Sequence, residues 1–114
     1  MAYRKGEVVL VNYPYTDMSA LKVRPAVIIS GAQYQQTQPD LMFSALTTNL
    51  ASATDFLDYI LLDWEAAGLK RPTAFKPVIA TLEPSLIEHS IGYLSLRDLA
   101  EVDARLRYAL ELGV

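Results

Sequence analysis

Short apolar runs separated by polar, proline- or glycine-bearing breaks dominate the chain, the pattern of strands rather than of long helices. Val8, Val9, Leu10 and Val11 predict a strand over 7–13, and the β-branched run Val27, Ile28 and Ile29 predicts a second over 24–30. The intervening stretch carries Thr16, Asp17, Met18 and Ser19. It is long beside the roughly two to five residues of a common hairpin loop, and long loops in small domains often carry function. Met42-Phe43-Ser44-Ala45-Leu46-Thr47 predicts a third strand over 41–48. A fourth covers 56–62, interrupted by Asp58 and Tyr59, and a fifth covers 73–82, broken or bulged at Pro77, which has no amide hydrogen for a ladder. Trp64 to Leu69 reads as a helical turn closed by Gly68.

The carboxyl end changes period. Ser95 with Asp98 three positions later is a capping-box-like start. Leu99, Val102, Leu106, Ala109 and Leu110 then recur at helical spacing, while Arg97, Glu101, Asp103, Arg105 and Arg107 mostly take other faces, and Gly113 ends the helix. The expected fold class is mainly β (α+β): a small, strongly curved antiparallel sheet or barrel with one terminal helix packed on it. Residues 1–114 form a single domain, without repeats or a linker.

Composition narrows the class. A hydrophobic content of 52% with 20% charged residues fits a soluble globular chain rather than a disordered one. No window approaches the ~18 uncharged apolar residues of a membrane span, and the amino terminus does not read as a signal peptide. Cysteine is absent, which excludes disulfides and Cys-based zinc sites; the cytoplasm is the expected location. The net charge of −3 argues against a nucleic-acid binder, yet it is unevenly spread. Residues 40–69 contain no Lys or Arg and five acids, whereas Arg4, Lys5, Lys22 and Arg24 precede them and Lys70, Arg71 and Lys76 follow. If the two basic segments meet in space, they form a local positive surface on an acidic protein.

Arg24 is the principal chemical candidate. It stands just after the polar loop and just before an apolar strand, and Pro25 restricts it to an extended backbone. Such a placement holds a guanidinium still for a phosphate; an ordinary surface arginine before a strand-initiating proline is the competing reading. Tyr13, Tyr15 and Tyr34 flank this region and offer rings for splayed bases at about 1–3 kcal/mol each, against a packing role favoured for Tyr13. His89 reads as an exposed structural histidine. Asp55 and Asp58 read as a solvated strand end rather than a magnesium cage, which needs several converging oxygens; no metal is expected.

Taken in order, Gly6-Glu7-Val8-Val9-Leu10-Val11, Tyr13-Pro14, Arg24-Pro25-Ala26-Val27-Ile28-Ile29, Ser44-Ala45-Leu46-Thr47, Ala67-Gly68-Leu69, Arg71-Pro72-Thr73, Ala80-Thr81-Leu82-Glu83 and Ile91-Gly92-Tyr93-Leu94-Ser95 resemble the MazF/PemK toxin family. The resemblance implies an SH3-like barrel with a carboxy-terminal helix, forming a two-fold dimer. It also implies the toxin of a type II toxin–antitoxin pair, a sequence-specific, metal-independent endoribonuclease on single-stranded RNA that leaves a 2′,3′-cyclic phosphate. No cofactor is implied. The implied partners are the RNA and a cognate antitoxin whose flexible tail folds onto the RNA groove, with DNA contacted only through that complex.

By the same resemblance, Arg24 matches the catalytic arginine and Thr47 the hydroxyl residue ending the third strand. The RNA-facing set is Tyr15, Asp17, Ser19, Lys22, Thr48, Thr73 and Lys76. The chain also departs from the family. Some members place a glutamate general base where Ser19 stands, leaving Asp17 as the nearest carboxylate, for which a surface-turn role is the favoured reading. Another branch uses an Arg-x-Asp pair where this chain has Phe75-Lys76-Pro77, so the general base is unassigned. A CcdB-like gyrase poison shares the fold but uses a terminal Trp-Gly-Ile, whereas this chain ends Leu112-Gly113-Val114. A degenerate barrel that binds RNA or a partner without catalysis is the third reading.

Overall fold

The computed structural model describes residues 3–14 and 21–113. β1 (Glu7–Pro14) and β2 (Leu21–Ile28) form a long antiparallel hairpin, paired from Val8↔Val27 to Pro14↔Leu21. β2 therefore starts ahead of the predicted 24–30, because cross-strand pairing with β1 recruits residues that the apolar run does not mark. It also stops early: the Ile29 and Ser30 amides both turn to the Met42 carbonyl. A helix, α1 (Ala32–Thr37), follows. Its Ala-Gln-Tyr-Gln-Gln-Thr sequence buries no side chain, so no apolar period announces it. Local bonds hold it instead, from Tyr34 Oη to Asp40 and from Gln35 Nε2 to the Ser30 carbonyl.

β3 (Leu41–Thr47) ends one residue before the predicted limit. β4 shrinks to Tyr59–Ile60. Residues 55–58 fold back on themselves, with the Asp58 amide on the Asp55 carbonyl and the Asp55 amide on the Asp58 carboxylate. β5 (Ala74–Leu82) bulges where Pro77 predicted it. Between the pairs Ser44↔Ile79 and Leu46↔Phe75, β3 has Ala45 alone while β5 has Lys76, Pro77 and Val78. β6 (Ile87–Tyr93), absent from the expected strands, pairs with β1. Its Glu88, His89 and Ser90 are all exposed, so its pattern lacks the alternation that marks a strand. The six strands lie in the order β4-β5-β3-β2-β1-β6, a mostly antiparallel curved sheet as expected.

The β-branched runs are buried because both faces of the central strands are covered. Val8 and Val27 join a cluster with Leu46, Leu61, Phe75, Val102 and Leu106 beneath the terminal helix. Val9, Val11, Ala26 and Ile28 join a second cluster with Leu41, Phe43 and Leu82 on the other face. α2 (Leu96–Leu110) is N-capped by Ser95, whose Oγ accepts from the Asp98 amide at 3.2 Å. The Asp98 carboxylate does not complete a capping box. Fully buried, it accepts from Tyr59 Oη at 2.6 Å and from the Leu62 and Asp63 amides at 3.1 and 2.8 Å, pinning the chain after β4 to the helix. Val102 and Leu106 are buried, but Ala109 and Leu110 have passed the end of the core and are exposed. The helix closes at Glu111, in the left-handed region (φ 54°), before Gly113 is reached.

Candidate nucleic-acid interface

Ala26, Val27 and Ile28 are fully buried, so the backbone carrying Arg24 is anchored in the core while Arg24 itself is exposed. β2 pairs with β3 through Ala26↔Ala45, Val27↔Ser44 and Ile28↔Phe43. That pairing ends at Ala26↔Ala45, two residues away from Arg24 on β2 and from Thr47 on β3. There the two strands part. β3 continues against β5 through Leu46↔Phe75 and Thr47↔Ala74, while β2 stays with β1 through Leu10↔Pro25 and Val11↔Arg24. The parting leaves an opening with Arg24 and Pro25 on one side and Thr47 and Thr48 on the other.

Thr47 is half-buried, and its Oγ1 accepts from the Asn49 amide at 3.0 Å. This turn fixes the hydroxyl oxygen and leaves its proton to be donated. Thr48 is exposed at the lip of a cavity of about 290 Å³ that Leu10, Pro25, Leu69, Arg71 and Ile91 help to line. Strand alternation places Arg24 with Ala26 and Ile28, and Pro25 with Val27. The cavity therefore opens on the face of β2 away from Arg24, at the same end of the sheet.

No cation of the first basic segment lines this cavity among the described residues. Lys70 and Arg71 line the cavity beside Pro25. Lys76 does not join them: its Nζ donates to the Ser52 carbonyl at 2.7 Å and to Asp58 at 3.0 Å. Asp58 is buried, not a solvated strand end, and needs that cation. Thr73, expected to turn its hydroxyl toward RNA, is buried and donates to the Arg71 carbonyl at 2.8 Å, bracing the turn that presents Lys70 and Arg71. Tyr34 is not beside Arg24. It sits on α1, beyond the far end of β2, where its hydroxyl bond to Asp40 raises the phenol pKa above its ordinary value. Tyr15, Asp17 and Ser19 lie outside the described residues, and of Lys22 only its pairing with Tyr13 is described. His89 is exposed, as expected.

Two glycines that composition alone does not single out, Gly68 in the cavity lining and Gly92 on β6, let this wall form. Gly68 has φ +89°, and a Cβ there would lie 2.0 Å from the Ile91 carbonyl oxygen. A Cβ on Gly92 would lie 2.4 Å from the Ala67 carbonyl oxygen. Only hydrogen at both positions lets the 67–71 turn close on β6. The signal was present in the sequence as Ala67-Gly68-Leu69 and Ile91-Gly92-Tyr93, but nothing local says that the two pieces touch.

A family of PemK-like, MazF-like toxins of type II toxin–antitoxin systems matches residues 4–110. The chain belongs to this family. No curated protein matches it. Among solved structures it is similar to an endoribonuclease in complex with its cognate antitoxin from a Mycobacterial species, at 18% identity and a TM-score of 0.79, with 99% of each chain covered. It is also similar to the MazF of a MazE–MazF structure from Deinococcus radiodurans, at 16% identity and a TM-score of 0.79, again over 99% of each chain. The Mycobacterium tuberculosis toxin MazF-mt6 matches at 15% identity and a TM-score of 0.75, over 95% of this chain and 99% of that one. At such identities the likeness shows the fold: a MazF-like curved sheet with a carboxy-terminal helix.

Proposed function

We propose that this MazF-like toxin is an endoribonuclease that cleaves single-stranded RNA by transesterification, with Arg24 and Thr47 at the reacting phosphate. The observation that supports the proposal is that the β2–β3 pairing ends two residues from a core-anchored arginine on one strand and from a hydroxyl with a proton to give on the other. In this reading the ribose 2′-oxygen forms a bond to phosphorus, the bond from phosphorus to the 5′-oxygen breaks, and a 2′,3′-cyclic phosphate and a 5′-hydroxyl result. One proton leaves the 2′-hydroxyl and one reaches the 5′-oxygen. The nucleophile belongs to the substrate, so the protein has to position it and stabilise charge on five-coordinate phosphorus. The Arg24 guanidinium meets two phosphate oxygens in a fork, and the Thr47 hydroxyl donates to a third contact.

A cognate antitoxin with an acidic, flexible tail belongs to the same proposal, as does a two-fold dimer. The test compares wild type and Arg24→Ala on mixed-sequence RNA in EDTA, with product ends identified chemically. Cyclic phosphate ends from wild type are expected, with a loss on the order of 10²–10³ in rate for the variant. Equal cleavage by both proteins overturns the role of Arg24, and intact RNA with folded, antitoxin-free wild type overturns the activity.

A further inference from the structure

We propose that the cavity bounded by Leu10, Pro25, Thr48, Leu69 and Ile91 receives the nucleobase next to the cleaved phosphate, and that Lys70 and Arg71 hold the backbone phosphate of that nucleotide. The proposal rests on the ribonuclease reading above and deepens it. Pro25 and Thr48 line the cavity, and each directly follows a residue assigned to the reacting phosphate. Arg24 and Pro25 take opposite faces of β2. A single strand of RNA laid over the opening between β2 and β3 thus presents a phosphate to Arg24 and Thr47 on one side. On the other, the adjacent base drops in against Leu10, Pro25 and Ile91.

Size and chemistry agree with that occupant. At about 290 Å³ the cavity lies just under the roughly 300–1,000 Å³ of sites for drug-sized ligands, which suits one planar base. Its walls are mostly aliphatic. The Thr48 hydroxyl at the rim supplies a donor and an acceptor to the base edge.

Charge points the same way. On this acidic chain Lys5, Lys76, Arg97 and Arg105 are each paired with a carboxylate. Among the described residues Lys70 and Arg71 have no such partner, and both are exposed at the cavity. Two unneutralised cations beside an apolar slot are complementary to a nucleotide, with its phosphate outside and its base within. The close approach of Gly68 to Ile91 and of Gly92 to Ala67 packs the slot's turn directly on β6.

The test uses two exposed-site variants, Lys70→Ala/Arg71→Ala and Thr48→Trp, with folding checked by thermal melts. Binding is measured by anisotropy with mixed-sequence 2′-O-methyl RNA, which cannot be cleaved, and cleavage with ordinary RNA. The double variant is expected to bind about tenfold or more weakly. Its dependence of log affinity on log salt should flatten by about 0.7 for each lost phosphate contact. Thr48→Trp is expected to alter the base preference at one position of the cleaved motif. Affinity, salt slope and motif all unchanged in both folded variants overturn the pocket while leaving the ribonuclease standing. Wild type that binds RNA through Lys70 and Arg71 but never cleaves it overturns the reaction and keeps the pocket. Loss of antitoxin binding alone in the double variant assigns the cavity to the antitoxin and overturns its role in RNA recognition.

Discussion

Single side chains show how closely chemistry and packing are divided here. Ser44 is buried with its Oγ unpartnered among the described residues, whereas Thr47, three positions on, is half-buried with its oxygen fixed by the Asn49 amide. Both hydroxyls lie in one strand-forming segment, and only their burial separates them. The glycines divide just as sharply. Gly68→Ala forces a Cβ to within 2.0 Å of a backbone oxygen at φ +89°, and should cost at least about 2 kcal/mol in urea unfolding or prevent folding. Gly31→Ala meets nothing within 4 Å at φ −87° and should stay within about 0.5 kcal/mol of wild type. Equal stability of the two variants would show that the 67–71 turn does not close on β6.

At the scale of elements, the start of α2 is a junction rather than a cap. Asp98 binds the chain after β4 from inside, while outside Asp63 accepts two bonds from Arg97 and one from Ser95. Burial and the bond to Asp98 push the Tyr59 phenol above its ordinary pKa, and the Arg105 guanidinium covers its ring 4.6 Å from the centroid. The Arg97 and Ser95 bonds hold the Asp63 carboxyl at about 2, against 3.8 ordinarily. Between those values the unfolded chain binds more protons than the folded one, so stability falls as pH drops through that window and is fully present above it. Acid unfolding followed by circular dichroism should therefore show a slope from pH 3.8 down to about 2 that Asp63→Asn removes. An unchanged slope in that variant would mean that other carboxyls govern acid stability.

For the whole molecule, the sheet gathers cations that the sequence keeps far apart. Lys22 and Arg24 stand on β2, and Lys70 and Arg71 line the cavity on the face of β2 away from Arg24, at the same end of the sheet. A partner whose acidic tail occupies this surface must lose affinity when its charge is reversed. Lys22→Glu/Arg24→Glu is expected to weaken antitoxin binding by at least about tenfold at low salt, with the deficit shrinking as salt rises. Titration calorimetry that finds wild-type affinity in the double variant would separate the antitoxin surface from the Arg24 opening.

Local pattern was enough for much of this protein. The β-branched runs placed the central strands, Pro77 marked a bulge, and Ser95 marked a helix start. These are properties of a residue and its near neighbours, which sequence records directly. Patterning missed α1 and β6, because one is held by side-chain bonds and the other by pairing with β1 rather than by an apolar face. It also misjudged Lys76 and Asp58, whose partners lie on other elements. Whether a polar group faces a ligand or another part of the same chain depends on what folding brings opposite it. For that reason Lys70 and Arg71 emerge as exposed cations at the cavity only once the 67–71 turn has docked on β6 and Lys76 has closed on Asp58.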